Sequence, residues 1–216
     1  MGQLFRPSAN TIARVSIIGG LIGLILIGIA LYQLNRSSFS TGILIAKEQP
    51  IPFSHKHHVA ALGIDCRFCH TSAETSPFAG IPPTAICMKC HSILWNTSPM
   101  LEPVRQSFDS GEPLRWNRVH DLPDHVYFDH SIHLASGIGC AACHGDVSTM
   151  PLMRKNATLH MQWCLNCHRN PEKFVGPKEE LFNSQWHTPE GFSGEQAKLA
   201  REFDIKSKMN CSTCHR

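Results

Sequence analysis

Hydrophobic and polar positions divide the chain into one long apolar run and a remainder with little sustained periodicity. Between Arg14 and Arg36 no residue is charged, and Val15 to Leu34 reads VSIIGGLIGLILIGIALYQL, 20 residues. At ~1.5 Å per residue a helix of that length spans the ~30 Å hydrocarbon core of a bilayer. The pattern therefore predicts a transmembrane helix over 15–34. A cleaved leader has a shorter apolar region of ~7–15 residues and a small-x-small site after it. Gln33-Leu34-Asn35-Arg36 offers no such site, so the span is expected to remain as an anchor. Arg6 and Arg14 precede it with no acidic residue between, which puts residues 1–14 on the cytoplasmic side. Gly19 and Gly23 make a G-x-x-x-G pair on which a neighbouring helix can close, although glycine is common in membrane helices generally.

Beyond the span, regular elements are few. Residues 35–52 read as a linker with little regular structure. Ser98-Pro99 followed by Leu101, Val104, Phe108 and then Gly111 predicts a short capped helix. Ser193 with Gln196 three residues later reads as a capping box, with Leu199 and Phe203 on one face behind it. Pro and Gly punctuation elsewhere predicts loops. One organised feature stands out, an internal repeat. Phe53-Ser-His55-Lys-His57-His58 and Leu62-Gly63-Ile64 return about 75 residues later as Phe128-Asp-His130-Ser-Ile-His133 and Ser136-Gly137-Ile138. The repeats run over 53–91 and 128–168, inside a domain expected to cover 53–216.

The cysteines give this organisation its chemistry. All ten fall in five copies of one pattern: Cys66-Arg-Phe-Cys69-His70, Cys87-Met-Lys-Cys90-His91, Cys140-Ala-Ala-Cys143-His144, Cys164-Leu-Asn-Cys167-His168 and Cys211-Ser-Thr-Cys214-His215. Two thiols three positions apart can add to the two vinyl groups of one porphyrin, and the adjoining His then lies beneath the iron. No cysteine remains for a disulfide scaffold or a lone nucleophile. Zinc sites gather Cys and His in fours without a His after every second Cys. The chain is thus expected to hold five covalent haem c groups. The proximal iron ligands are then His70, His91, His144, His168 and His215. Haem is attached on the outer face of the bacterial membrane, so the haem domain belongs on the periplasmic side of the inner membrane, with the chain crossing it once.

Nine histidines lie outside the motifs, and each iron needs a sixth ligand unless it binds substrate. In F-x-H-x-x-H the two histidines share one side of a helical turn, one for the haem just downstream and the other for a neighbour. His55, His58, His130 and His133 are assigned as distal ligands on that ground. His120, in the connection between the repeats, is assigned as the fifth. Met161, Met150 and Met153 are alternatives, since a thioether ligand raises the potential of a haem. His57, His125, His160 and His187 read as bystanders.

The polypeptide carries a formal charge of +3. Five ferric haems with ionised propionates take the total to roughly −2, so the basic balance does not point to nucleic acid. With two protein ligands on every iron, none is open for substrate chemistry. The chain reads as an electron carrier and not an enzyme by itself.

The motifs also carry a family resemblance. The anchor, the doubled F-x-H-x-x-H, Gly80-Ile-Pro-Pro-Thr-Ala-Ile-Cys87, Trp116-Asn-Arg-Val-His120-Asp-Leu-Pro-Asp-His125-Val-Tyr-Phe128 and Met161-Gln-Trp-Cys164 resemble the pentahaem cytochrome c subunit of the alternative complex III. The resemblance runs over nearly all of the chain from Phe53. It implies a loop-rich fold like that of class III cytochromes, with few short helices. It also implies polytopic membrane partners that handle quinol, an iron–sulfur molybdopterin-like subunit, and a monohaem cytochrome c or other soluble carrier as acceptor. The alternative is a membrane-anchored multihaem quinol dehydrogenase of the nitrate- or nitrite-reduction type, which oxidises quinol itself and feeds a periplasmic reductase.

Overall fold

The computed structural model describes residues 5–215; residues 1–4, part of the stretch expected on the cytoplasmic side, and Arg216, at the end of the expected haem domain, lie outside the described residues. The chain divides into two compact units, Met1–Ile43 and Leu44–Arg216.

In the first unit the apolar run forms part of a longer helix, α1 (Ser8–Arg36). It starts just after Pro7, and Ser8 to Arg14 contains no residue that breaks a helix. Ser37 turns extended and closes the end, with its N–H and hydroxyl both donating to the Leu34 carbonyl at 3.1 and 2.6 Å. No residue of α1 is buried. A helix apolar on every side needs non-aqueous surroundings, and this one is long and apolar enough to cross a membrane. A one-turn helix, α2 (Ser38–Thr41), follows and ends at Gly42 in the left-handed region.

The second unit consists of short helical turns joined by loops. Strand-like pairing among the described residues is confined to isolated bridges, among them Ala46 with Arg154 and Val126 with His215. Its apolar residues gather in three small clusters, built on Ile51, Leu101 and Val104, on Ala73, Leu134 and Leu181, and on Ile138, Val175 and Leu199. A domain usually has one contiguous core. Three separate clusters, two of them edged by the motif cysteines Cys87 and Cys140, suit a chain that folds around cofactors.

The stretch read as a linker is partly built in. Lys47 Nζ donates to the Arg118 carbonyl at 2.6 Å. Gln49 and Asn117 exchange bonds at 2.8 and 2.9 Å, and Asn117 Nδ2 reaches the Glu48 carbonyl at 2.6 Å. Polar side chains facing a second loop supply the hydrogen bonds that helix or strand would otherwise provide.

The short helix expected after Ser98 forms. A 3-10 turn over Pro99–Leu101 runs into α5 (Glu102–Ser110), which stops at Gly111 with φ +74°. The capping box at Ser193 does not form. The last helix, α9 (Ser193–Glu202), has Phe192 at its N-cap and no side-chain cap. Gln196 instead turns inward and its amide donates to the carbonyls of Lys173 and Val175 at 2.8 and 3.5 Å. Those two carbonyls hold the residue that the sequence pattern assigned to the cap.

The repeat appears twice in three dimensions with one difference. The second copy contains α6 (His130–Ala135), capped by Asp129. The first has one more residue between its Phe and its Gly, and there Lys56–Ala61 winds as a π-helical turn. A π turn takes in one extra residue without ending the helix. Both copies then leave through a left-handed glycine, Gly63 at φ +67° and Gly137 at φ +78°.

Candidate functional site

Each cysteine pair sits on or against a helical turn, so the two thiols are presented beside the histidine that follows. The turns are α3 (Cys66–Cys69), α4 (Thr84–His91), α7 (Ala141–His144), α8 (Met161–Arg169) and a 3-10 turn over Cys211–Thr213. All ten cysteines are free. Burial raises the thiol pKa of Cys66, Cys69, Cys87, Cys164 and Cys167, that of Cys140 to about 11 and that of Cys143 to about 12. A reactive thiolate requires the opposite shift. Among the described residues no three Cys, His, Asp or Glu side chains converge as a metal cage would, which leaves the pairs without a zinc-site geometry.

The histidine rings are oriented by backbone carbonyls. Nδ1 donates to Gly80 O at His70 (2.7 Å), Leu94 O at His91 (3.0 Å) and His125 O at His215 (3.1 Å). The same holds for Ser54 O at His58 (2.9 Å), Pro77 O at His130 (2.7 Å) and Asp129 O at His133 (2.6 Å). A carbonyl can only accept, so each bond fixes the proton on Nδ1 and leaves the Nε2 lone pair for a metal. The repeat phenylalanines add a second constraint. Phe53 stacks on His58 (4.4 Å, 23°) and lies edge-on to His55 (4.9 Å, 87°). Phe128 does the same with His133 (4.4 Å, 26°) and His130 (4.8 Å, 89°).

Ring separations test whether an iron fits. A metal–imidazole bond of ~2.0 Å on each side, plus ~1.1 Å from each nitrogen to its ring centre, requires ~6.2 Å between centroids. His58 and His91 are 6.2 Å apart, His133 and His168 6.2 Å, and His130 and His144 6.4 Å. These pairs fit the group. His55 lies near His70, whose charge, after burial, helps depress the His55 pKa to about 4. Burial first, then neighbouring charged groups, lowers His120 to about 4 and His144 to about 3, and burial lowers His133. Each is a neutral imidazole at pH 7, the form that binds iron.

Other assigned residues are placed differently. His120, expected as a fifth distal ligand, lies only 4.3 Å from His144, too close for an iron between them. His125 is at the fifth motif, its ring 5.6 Å from that of His215 at 21°. His57 stacks on Trp95 at 5.9 Å; His160 and His187 are exposed. Met150 is buried with its carbonyl accepting from Lys56 N, Met153 is half-buried and Met161 exposed. The carbonyl partners and the orienting role of Phe53 and Phe128 lie beyond the sequence reading. The repeated Phe was the one signal that pointed to them.

The motifs also stand in a definite succession. Lys89 of the second lies over the Phe68 ring of the first at 5.6 Å. The first and third meet on adjacent carbonyls, Cys66 Sγ on Phe182 O at 3.5 Å and Cys140 N on Leu181 O at 2.9 Å. His130 and His133, on one turn of α6, approach His144 of the third and His168 of the fourth. Ser207, just ahead of the fifth, donates to the His168 carbonyl at 2.8 Å. Secondary to burial, Cys87 raises the pKa of Cys69, Cys66 that of Cys140, Cys167 that of Cys143 and Cys214 that of Cys164, which places each of these thiols near its neighbour. The order is second, first, third, fourth, fifth.

Residues 126–216 match the family model described as cytochrome c7 and related cytochrome c. The chain is also 35% identical over 145 residues to the menaquinone reductase, multiheme cytochrome c subunit, of Nitratidesulfovibrio vulgaris strain Hildenborough, covering 57% of this chain and 69% of that one.

Proposed function

The chain belongs to the multihaem cytochrome c family, and from that premise we propose that it is a membrane-anchored electron-relay subunit of a quinone-handling complex. It binds five haem c groups through Cys66 and Cys69, Cys87 and Cys90, Cys140 and Cys143, Cys164 and Cys167, and Cys211 and Cys214. His70, His91, His144, His168 and His215 are the proximal ligands. His55, His58, His130 and His133 are the distal ligands of the first, second, third and fourth sites. When bound, haem supplies one-electron chemistry at a potential set by its axial ligands and surroundings. The polypeptide brings five sites together, fixes the ligand tautomers through backbone carbonyls, and holds buried imidazoles neutral. The observation that carries the reading is the row of histidine pairs at the separation one iron requires.

In this reading α1 anchors the chain with its N-terminus inside and the haem domain outside. Polytopic membrane subunits hold the quinol site, and an iron–sulfur molybdopterin-like subunit is a neighbour. Electrons leave to a monohaem cytochrome c or another soluble carrier, as in the alternative complex III that the motifs resemble. The name of the Nitratidesulfovibrio relative supports membership of a quinone-linked assembly. It also favours asking about direction, since that protein belongs to a menaquinone reductase.

The test is a haem-stained native gel of gently solubilised membranes, with mass spectrometry of the stained band. Co-migration with polytopic and iron–sulfur subunits is the expected result. A band holding this chain alone, or with only a soluble reductase, supports the second reading, a quinol dehydrogenase that touches quinol itself. Reduction of the isolated complex by a menaquinol analogue, against oxidation of the reduced complex by a menaquinone analogue, gives the direction.

A further inference from the structure

His144 differs from the histidines of the first, second and fifth motifs in what supports it. At the first, second and fifth motifs a backbone carbonyl accepts the Nδ1 proton. At the third, Nδ1 of His144 is buried and has no hydrogen-bond partner. The ring packed against it is that of His120, 4.3 Å away and at 73°, and Nε2 of His120 is buried without a partner as well. One ring offers a donor and the other an acceptor, and both are rare orphans in a protein interior.

The spacing decides between two roles for His120. An iron between two imidazoles needs ~6.2 Å between centroids. His130 meets that requirement with His144 at 6.4 Å, and His120 does not. A direct nitrogen–nitrogen hydrogen bond of ~2.9 Å, with ~1.1 Å from each nitrogen to its ring centre, needs ~5.1 Å between centroids. The 4.3 Å contact is about 0.8 Å short of that bond and about 1.9 Å short of an iron bridge, so a slight parting of the rings forms the bond and leaves an iron excluded.

We propose that His120 is a positioning residue for His144, accepting the Nδ1 proton of His144 on its own Nε2, and is not an iron ligand. The inference rests on the reading that His144 holds a haem. A partner on Nδ1 fixes the ring and raises its basicity as a ligand. A more basic axial imidazole favours ferric iron and lowers the potential of that site. His120 is therefore a tuning residue for the third site, in the middle of the row.

The experiment uses the full-length holo-protein in detergent, comparing the unmodified chain with His120→Ala and His120→Gln. Haem content, spin state by EPR and absorption, and the five midpoint potentials are read for each. The expected result for His120→Ala is five haems, no new high-spin signal, and one midpoint moved upward while the others hold. His120→Gln, whose amide oxygen can accept the same proton, brings that midpoint back toward its original value. A new high-spin haem that binds added imidazole in the Ala variant makes His120 a ligand and overturns the proposal, as does a titration in which no midpoint moves. If the Ala variant does not mature, the Gln variant decides alone: five low-spin haems support the proposal, and a new high-spin haem overturns it. Loss of the haem reading itself appears separately, as an unmodified chain whose Cys140–Cys143 peptide carries no haem.

Discussion

The two repeat glycines offer a matched pair of substitutions. Gly63 and Gly137 occupy the same place in each copy and share a left-handed backbone, φ +67° and φ +78°. A Cβ at Gly63 meets nothing within 4 Å, whereas at Gly137 it falls 2.6 Å from Phe203 Cε2, 2.9 Å from Phe203 Cδ2 and 2.9 Å from Val175 Cγ1. Val175 is 0% exposed and packs with Ile138 and Leu199 beneath that half-buried Phe, so Val175 has no open space to move into. Alanine at either site incurs the left-handed penalty of about 1–2 kcal/mol. At Gly137 it adds overpacking of about 1–3 kcal/mol. Gly137→Ala should therefore cost about 2–5 kcal/mol and Gly63→Ala about 1–2 kcal/mol. Urea unfolding of both holo-proteins in detergent, followed by tryptophan fluorescence, measures the difference. Equal losses, or a larger loss at Gly63, would refute the argument that Phe203 and Val175 close the second turn. Because Gly137 ends the helix that carries His130 and His133, its variant should also disturb the spectrum of the third or fourth site.

Removing a distal histidine should change one haem in five: His133→Ala is expected to replace one low-spin signal with a high-spin one, while His57→Ala, exposed beside Trp95, leaves the EPR spectrum as it was. Acid should weaken the fold in a defined window. Burial, then His70 and His58, hold His55 at about 4 against an ordinary 6.5, so the unfolded chain takes up the proton first as the pH falls. Stability is level above the unfolded value and declines between the two, and the urea midpoint at about pH 5 should lie below that at about pH 7.5; equal midpoints would count against it. A chain in which a cleavable secretory leader replaces residues 1–43 should leave the membrane fraction for the soluble one with its haems in place, and retention after alkaline carbonate washing would show that α1 is not the anchor.

Much of the site was legible because its chemistry is local. A thiol pair and the next histidine lie within one turn, and F-x-H-x-x-H puts two rings and their phenylalanine on neighbouring turns, so spacing alone carries the geometry. What the sequence concealed depends on distant carbonyls. Pro77, Gly80 and His125 orient His130, His70 and His215, and no side-chain pattern marks a backbone acceptor. The role of His120 is hard to read from sequence for a related reason, since a ring that packs beside a motif histidine and one that faces its iron look alike in one dimension. The capping box at Ser193 failed because Gln196 had better acceptors in a loop about twenty residues upstream. The π turn is the opposite case. The one-residue difference between the two repeats was visible in the sequence, and the wider turn is the form it takes in space.

Succession along the row nearly repeats succession along the chain, with the second motif placed outside the first. In the proposed topology the motifs reach the outer face in chain order, N-terminal first. The third motif therefore reaches a first already exported, the fourth a third, and the fifth a fourth, while residues 125–127, on which Val126 and Tyr127 pair with His215 and Cys214, are in place before the fifth arrives. A chain laid out this way can be matured largely from one end as it emerges, each new cofactor seated against a neighbour already delivered, while the loop at Leu181 and Phe182 closes over the first and third motifs afterwards.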